Sequence, residues 1–141
     1  MAAYEHEPEE SVRLTADDVR RDGFGERSCF EVVLAELEGQ VVGFVLFFPN
    51  YSTWEGRPGL YVEDLFVEER ARGHDLGRRL MAAAAKIATV RNCRRLDLNV
   101  LDWNPTRDFY LHLGGRQMTE WLPYRLDAEA IGTLAASADE L

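Results

Sequence analysis

The chain has 141 residues, 46% of them apolar and 29% charged, the composition of one globular domain large enough to bury its own core. With 16 Lys and Arg against 25 Asp and Glu, its formal charge of −9 argues against binding nucleic acid by phosphate neutralisation and suits a cationic small molecule. The acidic start MAAYEHEPEE is no signal peptide and no apolar run reaches the roughly 18 residues of a membrane span. Cys29, Cys93, His6, His74 and His112 show no metal-ligand spacing, so a cytoplasmic protein without metal, membrane or nucleic-acid partner is expected.

In chain order, LTADDV at 14–19 predicts a short helix, capped by Thr15 with Asp18 three residues on and ended by Gly23. Residues 30–37 (FEVVLAEL) are rich in strand formers. After a turn at Glu38-Gly39-Gln40, 41–48 (VVGFVLFF) is a second strand, apolar on both faces and therefore central. The two make a hairpin. Residues 50–59 (NYSTWEGRPG) read as a loop carrying Trp54, and 60–67 (LYVEDLFV) as a third strand with two acids inside it. The loop ARGHDLGRR, 71–79, then enters a helix in which Leu76, Leu80, Ala84, Ile87 and Ala88 share one face, broken at Asn92-Cys93. Residues 95–102 (RLDLNVLD) alternate as a strand. Asn104-Pro105 opens another helix and Gly114-Gly115 closes it. Residues 116–127 read as two short strands around Leu122-Pro123, and 127–136 as a final helix. The order predicts a mixed α/β fold around one sheet, in a single domain over 1–141.

Three regions can carry chemistry. A strand that turns through Gly73 and Gly77 into a helix presents free backbone N–H groups and the positive end of a macrodipole. Arg78 and Arg79 fall in that helix's first turn, where cations are disfavoured unless an anion binds or the side chains extend into solvent. The spacing is neither a dinucleotide GxGxxG nor a Walker loop. In a regular strand Glu63 and Asp64 point to opposite faces, so one faces the interior, where burial would suit a general base. An edge or bulged strand would instead leave both wet. Tyr110, beside Phe109 on a helix, is either a rim residue of the core or a reactive hydroxyl. Trp54 and Trp103 can wall a cation site or simply pack.

The segments YSTWEGR (51–57), YVEDLFV (61–67), RGHDLG (72–77), VLDWN (100–104) and DFYLHLGG (108–115), in this order, resemble the GNAT family of acyl-CoA-dependent N-acetyltransferases. Within it they are most similar to the diamine and thialysine acetyltransferase branch, and the likeness runs from Tyr4 to Leu126. The resemblance implies the GNAT fold, a mixed, mostly antiparallel central sheet with helices on both faces. It implies acetyl-CoA as cosubstrate, with its pyrophosphate held by the backbone of Arg72, Gly73, His74, Asp75, Leu76, Gly77 and Arg78. Pantetheine would lie along Leu65, Phe66 and Val67, with further cofactor contacts from Asn104 and Arg107. Tyr110 matches the general acid that protonates the departing thiolate, and Glu63 the acid that binds or deprotonates the amine. Tyr4, Glu5, Trp54 and Asp64 match positions lining the acceptor site. The partners implied are a small-molecule primary amine, polyamine or lysine-like, and a second copy in a homodimer.

Two departures stand out. Asp75 occupies the middle glycine of the family's R-G-x-G-x-G loop, a position where Asp tolerates left-handed backbone but brings a carboxylate toward two phosphates. The family's first strand and most of its first helix have no counterpart before Tyr4, which would leave the 30–37 strand without a neighbour. These departures keep open the alternative of a weak or inactive ligand-binding domain. A protein N-acetyltransferase is a further alternative because it shares the fold, although the residues around Trp54 and Glu63 count against it.

Overall fold

The computed structural model describes residues 11–138. It divides into two compact units, Met1–Arg107 and Asp108–Leu141.

The first unit opens with α1, Ala16–Phe24. The Thr15 side chain accepts from the Asp18 N–H at 3.1 Å, and the Asp18 carboxylate accepts from the Thr15 N–H at 2.9 Å, the expected capping box. The helix runs one residue past the predicted Gly23 stop and is capped by Gly25. Four strands follow: β1 (Glu31–Leu37), β2 (Gln40–Ser52), β3 (Arg57–Val67) and β4 (Leu96–Leu98). They lie in the order β1-β2-β3-β4, antiparallel except for the parallel β3–β4 pair.

The expected loop at 50–59 is mostly ladder, because β2 and β3 stay paired through Pro49↔Leu60, Asn50↔Gly59, Tyr51↔Pro58 and Ser52↔Arg57. At this end β2 and β3 have no outer neighbours among the described residues, so each proline can sit where its missing N–H costs no ladder bond. The expected strand at 95–102 shrinks to three residues, since it meets β3 only at Leu60–Val62.

Helix α2, Leu76–Val90, packs on one face of the sheet against β1, β2 and β3. Its stripe of Leu76, Leu80, Met81, Ala84 and Ala88 is buried, as are Val45, Phe47, Leu60 and Val62 of the sheet. Each large aliphatic or phenyl group there contributes about 1.5–3 kcal/mol by leaving water. The other face is less covered. Phe44–Phe66 and Phe48–Tyr61 pair across β2 and β3 with centroids 6.0 and 5.2 Å apart, while Val32 and Leu34 of β1 are exposed.

Helix α3, Arg107–His112, begins two residues after Pro105 and runs into the second unit. Gly114, at φ +90°, and the Gly115 N–H donating to the Tyr110 carbonyl at 2.9 Å close it as expected. Residues 116–127 form no strand, correcting the expected hairpin. Strand propensity needs a ladder partner, and Trp121, Leu122 and Tyr124 remain exposed. Helix α4, Ala128–Ala135, is capped by Asp127, whose carboxylate accepts from the Ala130 N–H at 2.9 Å.

Candidate active site

The decisive irregularity is in β3. Leu46 pairs with Asp64 and Phe47 with Val62, so Glu63 has no partner and forms a β-bulge. The extra residue breaks the strict alternation. Glu63 is exposed and Asp64 half-buried, so the strand is bulged but only Glu63 is left wet, and neither acid is fully buried. Pairing with β4 also stops at Val62. Beyond it, Leu65, Phe66 and Val67 pair, among the described residues, with β2 alone, which leaves an unpaired ladder edge on the side where β4 ran.

Just past this edge, a single 3-10 turn, Glu69–Ala71, leads to the glycine loop. Its two ends are pinned: Ala71 and Leu76 are buried together against Val42, with Val67 packed beside them. Between these anchors the backbone is forced into left-handed geometry at Gly73 (φ +85°) and Asp75 (φ +57°). Gly73 has open space where a Cβ would project. The Arg72 Nε donates to the Val67 carbonyl at 3.3 Å, and the His74 Nδ1 lies 3.1 Å from the Ala71 carbonyl.

Asp75 takes the cap position of α2 but caps nothing. Its carboxylate instead accepts from Arg78, Nε at 2.7 Å and Nη2 at 2.6 Å. The Asp75 side chain thus caps none of the first-turn N–H groups of α2, where the macrodipole favours negative charge. The donor set fits a diphosphate: open backbone donors, a glycine without steric bulk, and arginines at the rim.

Asn104 is buried, and its Oδ1 accepts from the Thr106 N–H at 2.9 Å and hydroxyl at 2.8 Å. It thus shapes the turn into α3. The Arg107 guanidinium donates to the Asp102 carbonyl. Trp54 is 85% exposed in the β2–β3 turn, where Ser52, itself buried, accepts from the Glu55 N–H. Arg57 at that turn and Glu63 are six residue steps apart along the strand, a span of about 20 Å. Trp54 and Glu63 are therefore not brought together within one chain, and Trp103 is 46% exposed. Tyr110, half-buried in the second unit, sets its ring edge-on to Phe109 at 5.1 Å. Tyr4 and Glu5 lie outside the described residues. Sequence reasoning missed the Val42–Ala71–Leu76 clamp and the Asp75–Arg78 pair. A small residue, Ala71, set just before a glycine loop was the available signal for the first.

Residues 1–115 match the family model of the acetyltransferase (GNAT) family. The chain is 36% identical to thialysine N-epsilon-acetyltransferase of Bos taurus, over 96% of this chain and 85% of that protein. It is also 36% identical to the L-ornithine N5-acetyltransferase NATA1 of Arabidopsis thaliana, over 85% of this chain and 50% of that one. Among solved structures it is similar to an integron cassette protein from the mobile metagenome of V. cholerae, with a TM-score of 0.77 and 30% identity over 90% of this chain and 82% of that one.

Proposed function

We propose, from the premise that this chain belongs to the acetyltransferase (GNAT) family, that it moves an acetyl group from acetyl-CoA to the primary amine of a small polyamine or lysine-like molecule, within one domain. Its family and curated relatives make it an acyl-CoA-dependent N-acetyltransferase. One observation carries the finer reading: the unpaired edge of β3 just past the Glu63 bulge lies next in sequence to the pinned, uncapped loop that starts α2.

In this reading the backbone of residues 72–78 holds the pyrophosphate, and the open edge at Leu65, Phe66 and Val67 takes the pantetheine amides as a neighbouring strand would. Arg107 and the turn built by Asn104 border the cofactor. An alkyl amine of pKa about 10.4 is free base in only about one molecule in a thousand at neutral pH. Glu63, exposed on the bulge, holds the ammonium and takes its proton, directly or through water. The amine nitrogen then attacks the thioester carbonyl. Outward N–H groups of β3 stabilise the oxyanion and the carbon–sulfur bond breaks. The departing sulfur takes a proton, the donor role that the family resemblance gives to Tyr110, and the surplus proton of the amide nitrogen replaces it. Direct transfer needs no enzyme nucleophile.

The acceptor class rests on relatives named for thialysine and ornithine, and on the chain's net charge of −9. Trp54 and Asp64, with Tyr4 and Glu5, are the proposed acceptor-lining residues. Trp54 lies far along the hairpin from Glu63, which supports a homodimer in which a second copy completes the pocket. Titration with acetyl-CoA, followed by thiol release on a panel of diamines, lysine analogues and N-terminal peptides, tests the reading. Micromolar cofactor binding with turnover on the small amines is expected. No binding at millimolar acetyl-CoA would end it, and turnover on the peptides alone would replace the acceptor.

A further inference from the structure

We propose that Asp75 and Arg78 form an internal brake on the pyrophosphate loop, the carboxylate occupying an arginine that would otherwise reach the cofactor. The inference rests on the cofactor site proposed above and concerns how tightly that site holds. An Asp at a helix N-cap ordinarily adopts extended backbone and accepts an N–H from the first turn. Asp75 is left-handed instead, at φ +57° and ψ +19°, and makes no such bond. Its Oδ2 is engaged by both Nε and Nη2 of Arg78, at 2.7 and 2.6 Å. The loop thus keeps its backbone donors open while one arginine of the first turn is neutralised from within. The pair accounts for a carboxylate beside a phosphate site: its charge is spent on Arg78. Binding a diphosphate then means sharing or parting an existing ion pair. Both side chains are more than half exposed, so the effect on affinity is modest.

Asp75→Asn removes the charge and keeps a residue that tolerates left-handed backbone. It is expected to tighten acetyl-CoA binding by titration about three- to tenfold, with the gain shrinking at high salt. Asp75→Gly should do the same. In an Arg78→Ala background either change should move Kd less than about twofold, because the effect runs through Arg78. Unchanged or weaker binding in both single variants overturns the proposal, and so does a gain of the same size without Arg78. A wild-type protein that binds no acetyl-CoA at millimolar concentration overturns the proposed function along with it, whereas normal wild-type binding with unmoved variants overturns only the brake.

Discussion

Arg91, immediately after α2, grips Glu31 at the start of β1 through two hydrogen bonds, Nη1 to Oε1 at 2.6 Å and Nη2 to Oε2 at 2.7 Å. Sixty residues separate the two in sequence. The pair ties the end of the helix to the outer strand, which among the described residues has β2 as its single neighbour.

That pair gives a pH dependence with a definite sign. The Arg91 hydrogen bonds hold the Glu31 carboxyl below its ordinary value of 4.5. A depressed carboxyl stabilises the fold fully above the unfolded value, and the contribution is lost as pH falls through the lower folded value. Both side chains are about two-fifths exposed, so Arg91→Gln should cost no more than about 1 kcal/mol at pH 7. Urea melts at pH 7 and in the acid range below 4.5 check this, and the difference between the two proteins should narrow in acid.

Gly43→Ala should destabilise the sheet directly. A Cβ there would lie 2.6 Å from the Phe66 carbonyl oxygen and 3.3 Å from the Val67 Cα, backbone that cannot swing aside. The strain is of the size of core overpacking, about 1–3 kcal/mol, readable as a lower urea midpoint. Gly73→Ala meets no atom within 4 Å, and its cost comes from the φ of +85° alone, about 1–2 kcal/mol. If the loop then relaxes toward negative φ, acetyl-CoA affinity falls more than stability does.

Glu63→Gln separates chemistry from folding. The side chain is exposed on a bulge, so thermal stability should be unchanged. Turnover of the amine should drop on the order of 100-fold, the usual worth of a positioned base, while acetyl-CoA affinity stays put. Thiol-release kinetics and cofactor titration on the same sample check both halves. Equal loss of cofactor affinity would assign Glu63 to binding instead.

Tyr110→Phe removes one hydroxyl and keeps the ring's edge-on contact with Phe109. The expected outcome is a fall in kcat of about 10- to 100-fold with acetyl-CoA affinity preserved. An unaltered kcat would return Tyr110 to a packing role.

The sequence by itself determined most of the local structure, because local structure follows from local chemistry. The Thr15–Asp18 capping box, the Leu76–Leu80–Ala84–Ala88 stripe, the Gly114-Gly115 stop and the Asp127 cap all stand where their residue types require. The order of motifs was equally legible, and it carried the family. What it left open depends on partners distant in the chain. Whether Glu63 was buried or wet turned on one missing residue in β2 opposite β3, a mismatch between two strands that no single strand displays. The length of β4 was set by where β3 parts from it, and residues 116–127 kept their strand-like composition without forming a ladder. Asp75 shows the division most sharply: its tolerance of left-handed backbone is a property of the residue, but its carboxylate is spent on Arg78 only because the turn of α2 brings the guanidinium to it.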